Sequence, residues 1–338
     1  MDTTGILDEA LQRLHRSGPE RLGRLTNHAP MAVEALAAHG QAGSVHRWLD
    51  LYTRRLEEFP SGVEPVTAAN WRVALGDSRR AADWINYFGR ELSERSWPEV
   101  LTDWWPRLLP GLYGGSTHPV IRVGHAARTL LASESTEPRL VELAHGLGYW
   151  AARYHPVADL ALRPGADSAA AATALDAVTP IAERDGGFPD RLSRVTELPV
   201  WGTAVTDPNE AHRRLTELVR AATHRYATHG HGEATMLVHA ATAPNAVLRT
   251  LPALPQVMWV PSLRAAWTAS AAVTAMYSPH GPVEYTAPGT FTAEEVFERA
   301  VAHGDEHVIK LTDTAVDVGD EQALAAALRS IELSGPLV

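Results

Sequence analysis

The sequence contains a single lysine, Lys310, among 30 lysine and arginine residues. Arginine can replace lysine wherever only a positive charge is needed, but it cannot supply a neutral amine for nucleophilic or acid–base chemistry. Lys310 ends the segment His307-Val308-Ile309-Lys310, in which two apolar residues separate the histidine from the lysine. We therefore expect a chemical role for Lys310, with an ordinary surface lysine as the alternative.

His307 and Lys310 are three residues apart and would share one face of a helix. If His307 binds a divalent metal, an ammonium beside it is repelled, so Lys310 must be neutral or anionic. A neutral buried lysine can take up carbon dioxide and become a carbamate, which is an oxygen ligand. An arginine, always protonated, cannot. The pair predicts a metal site with a carbamylated Lys310; the metal-free alternative uses its amine as a nucleophile or base.

Two further histidines occur beside helix signals. His28 follows Asn27 at the entrance of a helix, and His239 lies inside an apolar helical segment. Each has a structural alternative, with Asn27 as a simple helix cap and His239 as a core residue. The His-x-His pattern at 229–231 lies in a glycine-containing turn, and we expect no metal there.

A third segment places His118, Arg122 and His125 on one face of one helix. The two histidines are seven residues apart, about 10 Å along the axis at about 1.5 Å per residue. At most one of them is therefore expected to bind a given ion. The other histidine would either face a substrate or support the metal ligands from behind.

The composition limits which metals and partners are reasonable. The chain has sixteen histidines and no cysteine, so a transition metal must be held by imidazole and carboxylate, which suits iron, manganese, copper or zinc. The net charge of −10 makes nucleic acid and anionic membranes poor partners. With neither a signal peptide nor an apolar stretch that would span a bilayer, we expect a soluble, cytoplasmic protein. The sequence does not predict an oligomeric state.

Apolar residues recur at helical spacing along almost the whole chain. We predict an all-α fold, a single large multi-helix domain over residues 1–338, and leave a sub-boundary near residue 200 open. Individual predictions include one helix over 70–88, one over 233–241, and a capping box formed by Thr292 and Glu295. No alternating strands that would build a sheet are found.

Together the four histidine segments resemble the questin oxidase-like family, enzymes of aromatic polyketide metabolism. Asn-His, His-Pro with a following Gly, His-x-x-Thr and His-x-x-Lys occur in family order over residues 27 to 312. The resemblance implies an all-helical fold around one non-haem Fe(II). That iron would activate dioxygen to cleave a quinone-type ring or to insert oxygen in a Baeyer–Villiger-like reaction. Carried over by motif, the implied ligands are His28, His118, His239, His307 and carbamylated Lys310.

The chain departs from the family pattern at one place. Relatives often carry a second histidine four residues after the His-Pro histidine, where this chain has Arg122, and His125 lies three residues further on. The resemblance selects His118 as the ligand and leaves Arg122 and His125 as catalytic candidates beside a pocket that differs from that of the relatives. Some members are NADPH-dependent, but no G-x-G-x-x-G segment follows a strand here, so a need for NADPH is left open.

The leading hypothesis is an iron-dependent oxygenase that uses O₂ and a small aromatic polyketide of the quinone or hydroquinone type. Arg122 or His125, on the same helix face as His118, would orient or deprotonate a phenol. Two alternatives stay open: a metal-free enzyme that depends on Lys310, and a non-catalytic helical protein that binds an aromatic ligand. A zinc hydrolase with a carbamylated lysine is disfavoured, because such sites take histidines from the strands of a barrel.

Overall fold

A computed structural model describes residues 3–22, 25–157, 160–164 and 167–337. The chain forms two compact units, the first comprising Met1–Pro156 with Arg249–Pro255 and the second Val157–Leu248 with Gln256–Val338. Both units are built mainly of helices, which confirms the all-α prediction. That the whole chain is one domain stays a prediction.

The first unit consists of helices joined by loops and 3₁₀ turns, and the loop over 56–70 is a long one. Its α-helices are α1 (Thr3–Leu14), α2 (Ala29–Ala38), α3 (Ala42–Tyr52), α4 (Trp71–Ala74), α5 (Ala81–Glu94), α6 (Trp97–Leu108), α7 (His118–Ala132) and α8 (Glu137–Ala152). A short antiparallel pair, β1 (Glu20–Arg21) and β2 (Leu25–Thr26), leads the chain into α2.

Two kinds of contact pack the core of this unit. Trp84 and Phe88 of α5 meet Trp104 of α6 with ring centroids 5.4 Å and 5.0 Å away and with nearly perpendicular planes. Aromatic rings favour this edge-to-face arrangement. Helices α5 and α8 approach so closely that a Cβ added to Gly148 would lie 2.7 Å from the backbone of Ile85. Only glycine permits that approach, which is why α8 carries one there.

Buried ion pairs connect α7 to its neighbours. Glu34 of α2 accepts hydrogen bonds from His125 Nδ1 at 2.6 Å and from Arg128 Nε at 2.9 Å. Arg122 of α7 donates through Nε and Nη2 to the two carboxylate oxygens of Glu142 in α8, the second bond measuring 2.7 Å. Since an unpaired charge in such a core is costly, these pairs fix how the three helices align.

The prediction of one helix over 70–88 is wrong. Helix α4 ends at Ala74 and α5 begins at Ala81, with a 3₁₀ turn between them. Gly76 has a φ of 83°, a left-handed conformation. Such a conformation stops an α-helix, and glycine adopts it without strain. The apolar periodicity continues through the break, which is why the sequence pattern did not reveal it.

The second unit is also helical. Its α-helices are α9 (Ala171–Asp176), α10 (Phe188–Leu192), α11 (Pro208–His229), α12 (Ala234–Leu237), α13 (His239–Thr250, whose last two residues belong to the first unit), α14 (Trp259–Tyr277), α15 (Ala293–His303), α16 (Glu306–Val318) and α17 (Glu321–Leu333). A short parallel pair joins β3 (Ala161–Arg163) to β4 (Glu197–Pro199).

Local signals set the ends of the helices in this unit. Thr292 and Glu295 form the predicted capping box at the start of α15. The predicted helix over 233–241 is wrong, because the chain forms α12 and then α13, with a break at Val238. Helices α15, α16 and α17 enclose a small core that includes Val296, Ala315 and Leu328. Among the described residues, no helix is both long and apolar enough to cross a membrane.

The Arg122–Glu142 pair predicts how stability depends on pH. Burial opposes ionisation of Glu142, but Arg122 and His15 outweigh it and lower the pKa of Glu142 from 4.5 to about 2. A group with a lowered folded-state pKa stabilises the fold above its unfolded pKa, and that contribution is lost as the pH falls through the folded value. We expect the free energy of unfolding to drop by about 3 kcal/mol from this group between pH 4.5 and 2.

Urea denaturation at pH 7, 4.5 and 2.5 measures this effect. Glu142→Gln should destabilise the protein by about 3–5 kcal/mol at pH 7, since Arg122 is left buried without its partner. Its deficit should shrink towards pH 2.5. A variant that keeps the full acid sensitivity of the wild type would contradict the assignment.

Candidate metal centre

His28 sits between β2 and α2, where the chain turns into the helix. Asn27 lies one residue before His28, which is the N-cap of α2, so Asn27 is not itself the cap. Its Oδ1 accepts from the backbone N–H of Ala29 at 3.1 Å, and its Nδ2 donates to the carbonyl of Gly18 at 3.1 Å. The backbone N–H of His28 donates to the hydroxyl of Tyr52 in α3 at 3.1 Å. These bonds fix the backbone on both sides of a buried imidazole.

His118 begins α7 directly after a strained segment. Gly115, Ser116 and Thr117 have φ values of 54°, 57° and 66°, so three consecutive residues are left-handed. That conformation is unfavourable for Ser and more so for the β-branched Thr. It directs the carbonyl of Gly115 at His118 Nδ1, 2.7 Å away. A carbonyl can only accept, so Nδ1 carries the proton and Nε2 of the neutral ring is a lone-pair nitrogen.

The two rings meet through these nitrogens. His28 Nε2 and His118 Nε2 are 2.7 Å apart, with ring planes at 82°. The two residues are buried, with exposures of 3% and 6%. Two arrangements satisfy the contact: a proton on His28 Nε2 donated to His118, or a metal cation bound by both lone pairs. Nδ1–H to a carbonyl, as in His118, is the usual support of a metal-binding histidine.

Helix α2 and helix α7 hold this pair in register. His28 directly precedes α2 and His118 is the first residue of α7, so the histidine contact lies at the start of both helices. About two turns further along, Glu34 of α2 contacts His125 of α7. Contacts at both levels mean that the helices run side by side in the same direction. Burial raises the pKa of Glu34, but Arg128 and His125 outweigh it and the pKa falls to about 2. The carboxylate of Glu34 is therefore charged near neutral pH and keeps its hydrogen bonds with His125 and Arg128.

In the second unit, α16 presents His307 and Lys310. Asp305 caps the helix by accepting from the backbone N–H groups of His307 and Val308 at 2.9 and 3.1 Å. Its Oδ1 also lies 3.6 Å from His307 Nδ1, so the cap helps to orient that ring. Burial opposes ionisation of Asp305, but His307 and the capped amides lower its pKa to about 2. Lys310, one turn on, is only 1% exposed.

His239 is fully buried at the start of α13, and its ring centroid lies 6.1 Å from that of His307. Pro244 in this helix lacks the N–H that would bond to the carbonyl of Ala240. Ser270 of α14 donates its hydroxyl to that carbonyl instead, at 2.7 Å. The carbonyl that Pro244 leaves without a helical partner is thus bonded to α14, and this bond fixes the start of α13, where His239 lies.

Each unit therefore contains buried histidines of the type that binds transition metals: His28 with His118 in the first, and His239 with His307 in the second. Carboxylates also lie close to His307. Ligand atoms of Asp305, Glu306 and His307 fall within 4.8 Å of one another. His229 is the last residue of α11, and a 3₁₀ turn over 230–232 contains His231. His229 Nδ1 lies 2.8 Å from the hydroxyl of Thr228, and the absence of a metal at this segment stays a prediction.

The two predicted catalytic residues, Arg122 and His125, lie in the first unit and are 2% and 4% exposed. Each is bound to a carboxylate, Glu142 for Arg122 and Glu34 for His125. The cavity beside His125 has a volume of only about 10 Å³. Such a volume holds about one water molecule. Their catalytic roles stay predictions.

Sequence reasoning missed the residues that support the histidines. Glu34 and Glu142 looked like ordinary charges on amphipathic helices, and Tyr52 like a core aromatic residue. Glu306 and Asp313 share α16 with Lys310 and are almost completely buried. The sequence offered one signal for Glu306 and Asp313: each lies one helical turn from Lys310.

The strained segment before His118 gives a stability prediction. Ser116→Gly should raise the free energy of unfolding by up to about 1 kcal/mol, because glycine adopts the left-handed conformation without penalty. Ser44→Gly, inside α3, should lower it by about 0.5–1 kcal/mol. Thermal and urea unfolding measure both. Destabilisation by both substitutions would show that Ser116 is not strained.

Comparison with protein families connects these observations. The family model described as questin oxidase-like matches residues 25–314, a range that contains all four histidine segments and Lys310. No curated protein matches the chain. The match covers well over half of the sequence and agrees with the resemblance seen in its motifs. The chain belongs to the questin oxidase-like family, which implies an oxygenase of polyketide metabolism that acts on a small molecule with O₂.

Proposed function

We propose that this protein is an Fe(II)-dependent oxygenase that acts on an aromatic polyketide of the quinone or hydroquinone type. It would cleave the ring with O₂ or insert oxygen in a Baeyer–Villiger-like reaction. Family membership supports the reaction class. The structural observation that best supports a metal site is the buried contact of 2.7 Å between Nε2 of His28 and Nε2 of His118. A cytoplasmic location and a need for NADPH stay predictions.

The residues present fit an iron ion. His28 and His118 of the first unit, together with His239, His307 and Lys310 of the second, would hold it. His118 supports this assignment best, because the Gly115 carbonyl keeps the proton on Nδ1, so that Nε2 of the neutral ring carries a lone pair. That all five residues share one ion is part of the proposal and follows from the family pattern. Imidazole with one anionic oxygen is a donor set that suits iron.

Lys310 would serve as the anionic oxygen ligand in its carbamate form. The residue is 1% exposed. An ammonium group is poorly accommodated at so buried a position, whereas a neutral amine reacts with carbon dioxide. The competing state is an ammonium paired with Glu306 or Asp313, each one turn away on α16. An ammonium so paired could not be a metal ligand, and the second candidate function, a metal-free enzyme that depends on Lys310, would then remain.

Bound Fe(II) would supply the binding and reduction of dioxygen. The four histidines and Lys310 are at most 8% exposed. The chain itself would therefore exclude water from the reaction. Arg122 and His125 keep their proposed roles of orienting and deprotonating a phenol. Glu34 holds the proton on His125 Nδ1, which leaves Nε2 as the basic nitrogen. Because the adjoining cavity takes about one water, that proton transfer would run through a water molecule.

Metal content tests the ligand set directly. Protein reconstituted anaerobically with Fe(II) should hold about one iron per chain by mass spectrometry. His28→Ala and His239→Ala should each lose nearly all of it, because the two units would share one ion. His229→Ala, a histidine outside the set, is the control. If each variant keeps half of the iron, the units bind separate ions and the shared centre is wrong. No iron in the wild type would remove the iron hypothesis altogether.

Substitution of Lys310 distinguishes a role as a carbamate ligand from a role as a catalytic amine. Lys310→Arg should lose iron and oxygen consumption with a hydroquinone, since a guanidinium cannot form a carbamate. Lys310→Ala should regain part of both when acetate is added, because a small carboxylate can replace the carbamate oxygen. A carbonyl signal in ¹³C NMR after exposure to ¹³CO₂, absent in Lys310→Ala, identifies the carbamate. Rescue by alkylamines alone would favour the metal-free enzyme, and ligand binding without any turnover would leave a binding protein.

A further inference from the structure

The first unit contains an open cleft of about 590 Å³. That volume lies within the range of small-molecule sites. Helices α5 and α8 form its walls, with the residue that follows α1 and one from the loop before α4. The residues that line it are His15, Phe59, Ile85, Asn86, Gly89, Arg90, Ser93, Val141, Ala144 and His145. The residues assigned to the metal centre are not among them.

A buried imidazole faces this cleft. His145 is only 4% exposed and contacts His15 and Phe59, with ring centroids 4.7 and 5.6 Å away. Within the described part of the chain, neither of its ring nitrogens has a hydrogen-bond partner. Burial, reinforced by Arg122 and His15, holds the pKa of His145 well below 6.5, so the ring is neutral. A neutral imidazole offers one donor and one acceptor, and here both are available to a ligand.

The charged and polar groups of the lining favour an anion. Arg90 is the one arginine among the lining residues, and none of them is Asp or Glu. That is unusual for a chain with a net charge of −10. One terminal nitrogen of Arg90 donates to the carbonyl of Val66 at 2.9 Å, which holds the guanidinium in place. Asn86 and Ser93 lie on the same face of α5 and add neutral hydrogen-bonding groups.

The rest of the lining is apolar and suits a flat ring. Phe59 supplies an aromatic wall, and Ile85, Val141 and Ala144 supply aliphatic surface. Gly89 leaves the space above α5 open, since a Cβ placed there would meet nothing within 4 Å. We propose that this cleft is a binding site for a flat aromatic carboxylate. Arg90 binds the carboxylate, the ring lies against Phe59, and His145 hydrogen-bonds a polar ring substituent. The site is independent of the proposed iron centre.

Titration calorimetry with 2-naphthoate tests the site, and it needs neither iron nor turnover. Gly89→Leu should fill the cleft without a clash and abolish binding. Gly43→Leu is the matched control, because Gly43 is also an exposed helical glycine with nothing within 4 Å of an added Cβ. Arg90→Gln should weaken naphthoate binding at least about tenfold through loss of a charge-assisted hydrogen bond. The melting temperature checks that each variant is folded.

Comparison with 2-naphthol distinguishes an acid from a phenol. In the wild type, naphthol should bind more weakly than naphthoate, and its affinity should be the same in Arg90→Gln. Naphthoate binding that survives Gly89→Leu, or its absence in the wild type, would overturn the site. Equal binding of the two probes, with no effect of Arg90→Gln, would overturn the assignment of the ligand as an anion.

Discussion

The pairing of Glu34 with His125 and Arg128 is the contact on which the first unit depends. A carboxylate inside a helical core is tolerated only when cations and hydrogen bonds compensate for its lost hydration. Glu34 has both, since it also accepts from Thr129 at 3.1 Å. The pairing sets α2 against α7 in one register, and that register brings His28 to His118. The histidine contact is thus the result of charge compensation two turns away.

A strained backbone segment before α7 also supports the contact between His28 and His118. The chain enters α7 through three left-handed residues, of which only Gly115 adopts the conformation easily. The surrounding packing must hold Ser116 and Thr117 in place. In return the carbonyl of Gly115 selects one tautomer of His118. Strain of this kind is commonly found at functional sites, where a precise orientation matters more than local stability.

The single lysine and the many arginines have complementary uses. Arg122 binds Glu142 with two parallel hydrogen bonds, a geometry that a lysine cannot reproduce. Arg139 is likewise buried and donates to Asp8 at 2.7 Å. Permanently charged guanidinium groups therefore do the structural work of the buried ion pairs. The single lysine lies in α16, one turn after His307, and the proposed function depends on its ability to lose a proton.

The helical class, the cap at Thr292 and the family follow from the sequence alone, because they depend on local periodicity, capping residues and motif order. The partners of the buried charges depend on how the helices pack in three dimensions. Glu34 lies 91 residues from His125 in the chain, and the two helices that carry them look like ordinary amphipathic helices. The break at Gly76 was also hidden, since apolar periodicity persists through a turn. Pairing over such separations follows from how helices pack and from the cost of an unpaired buried charge, and one-dimensional spacing contains neither.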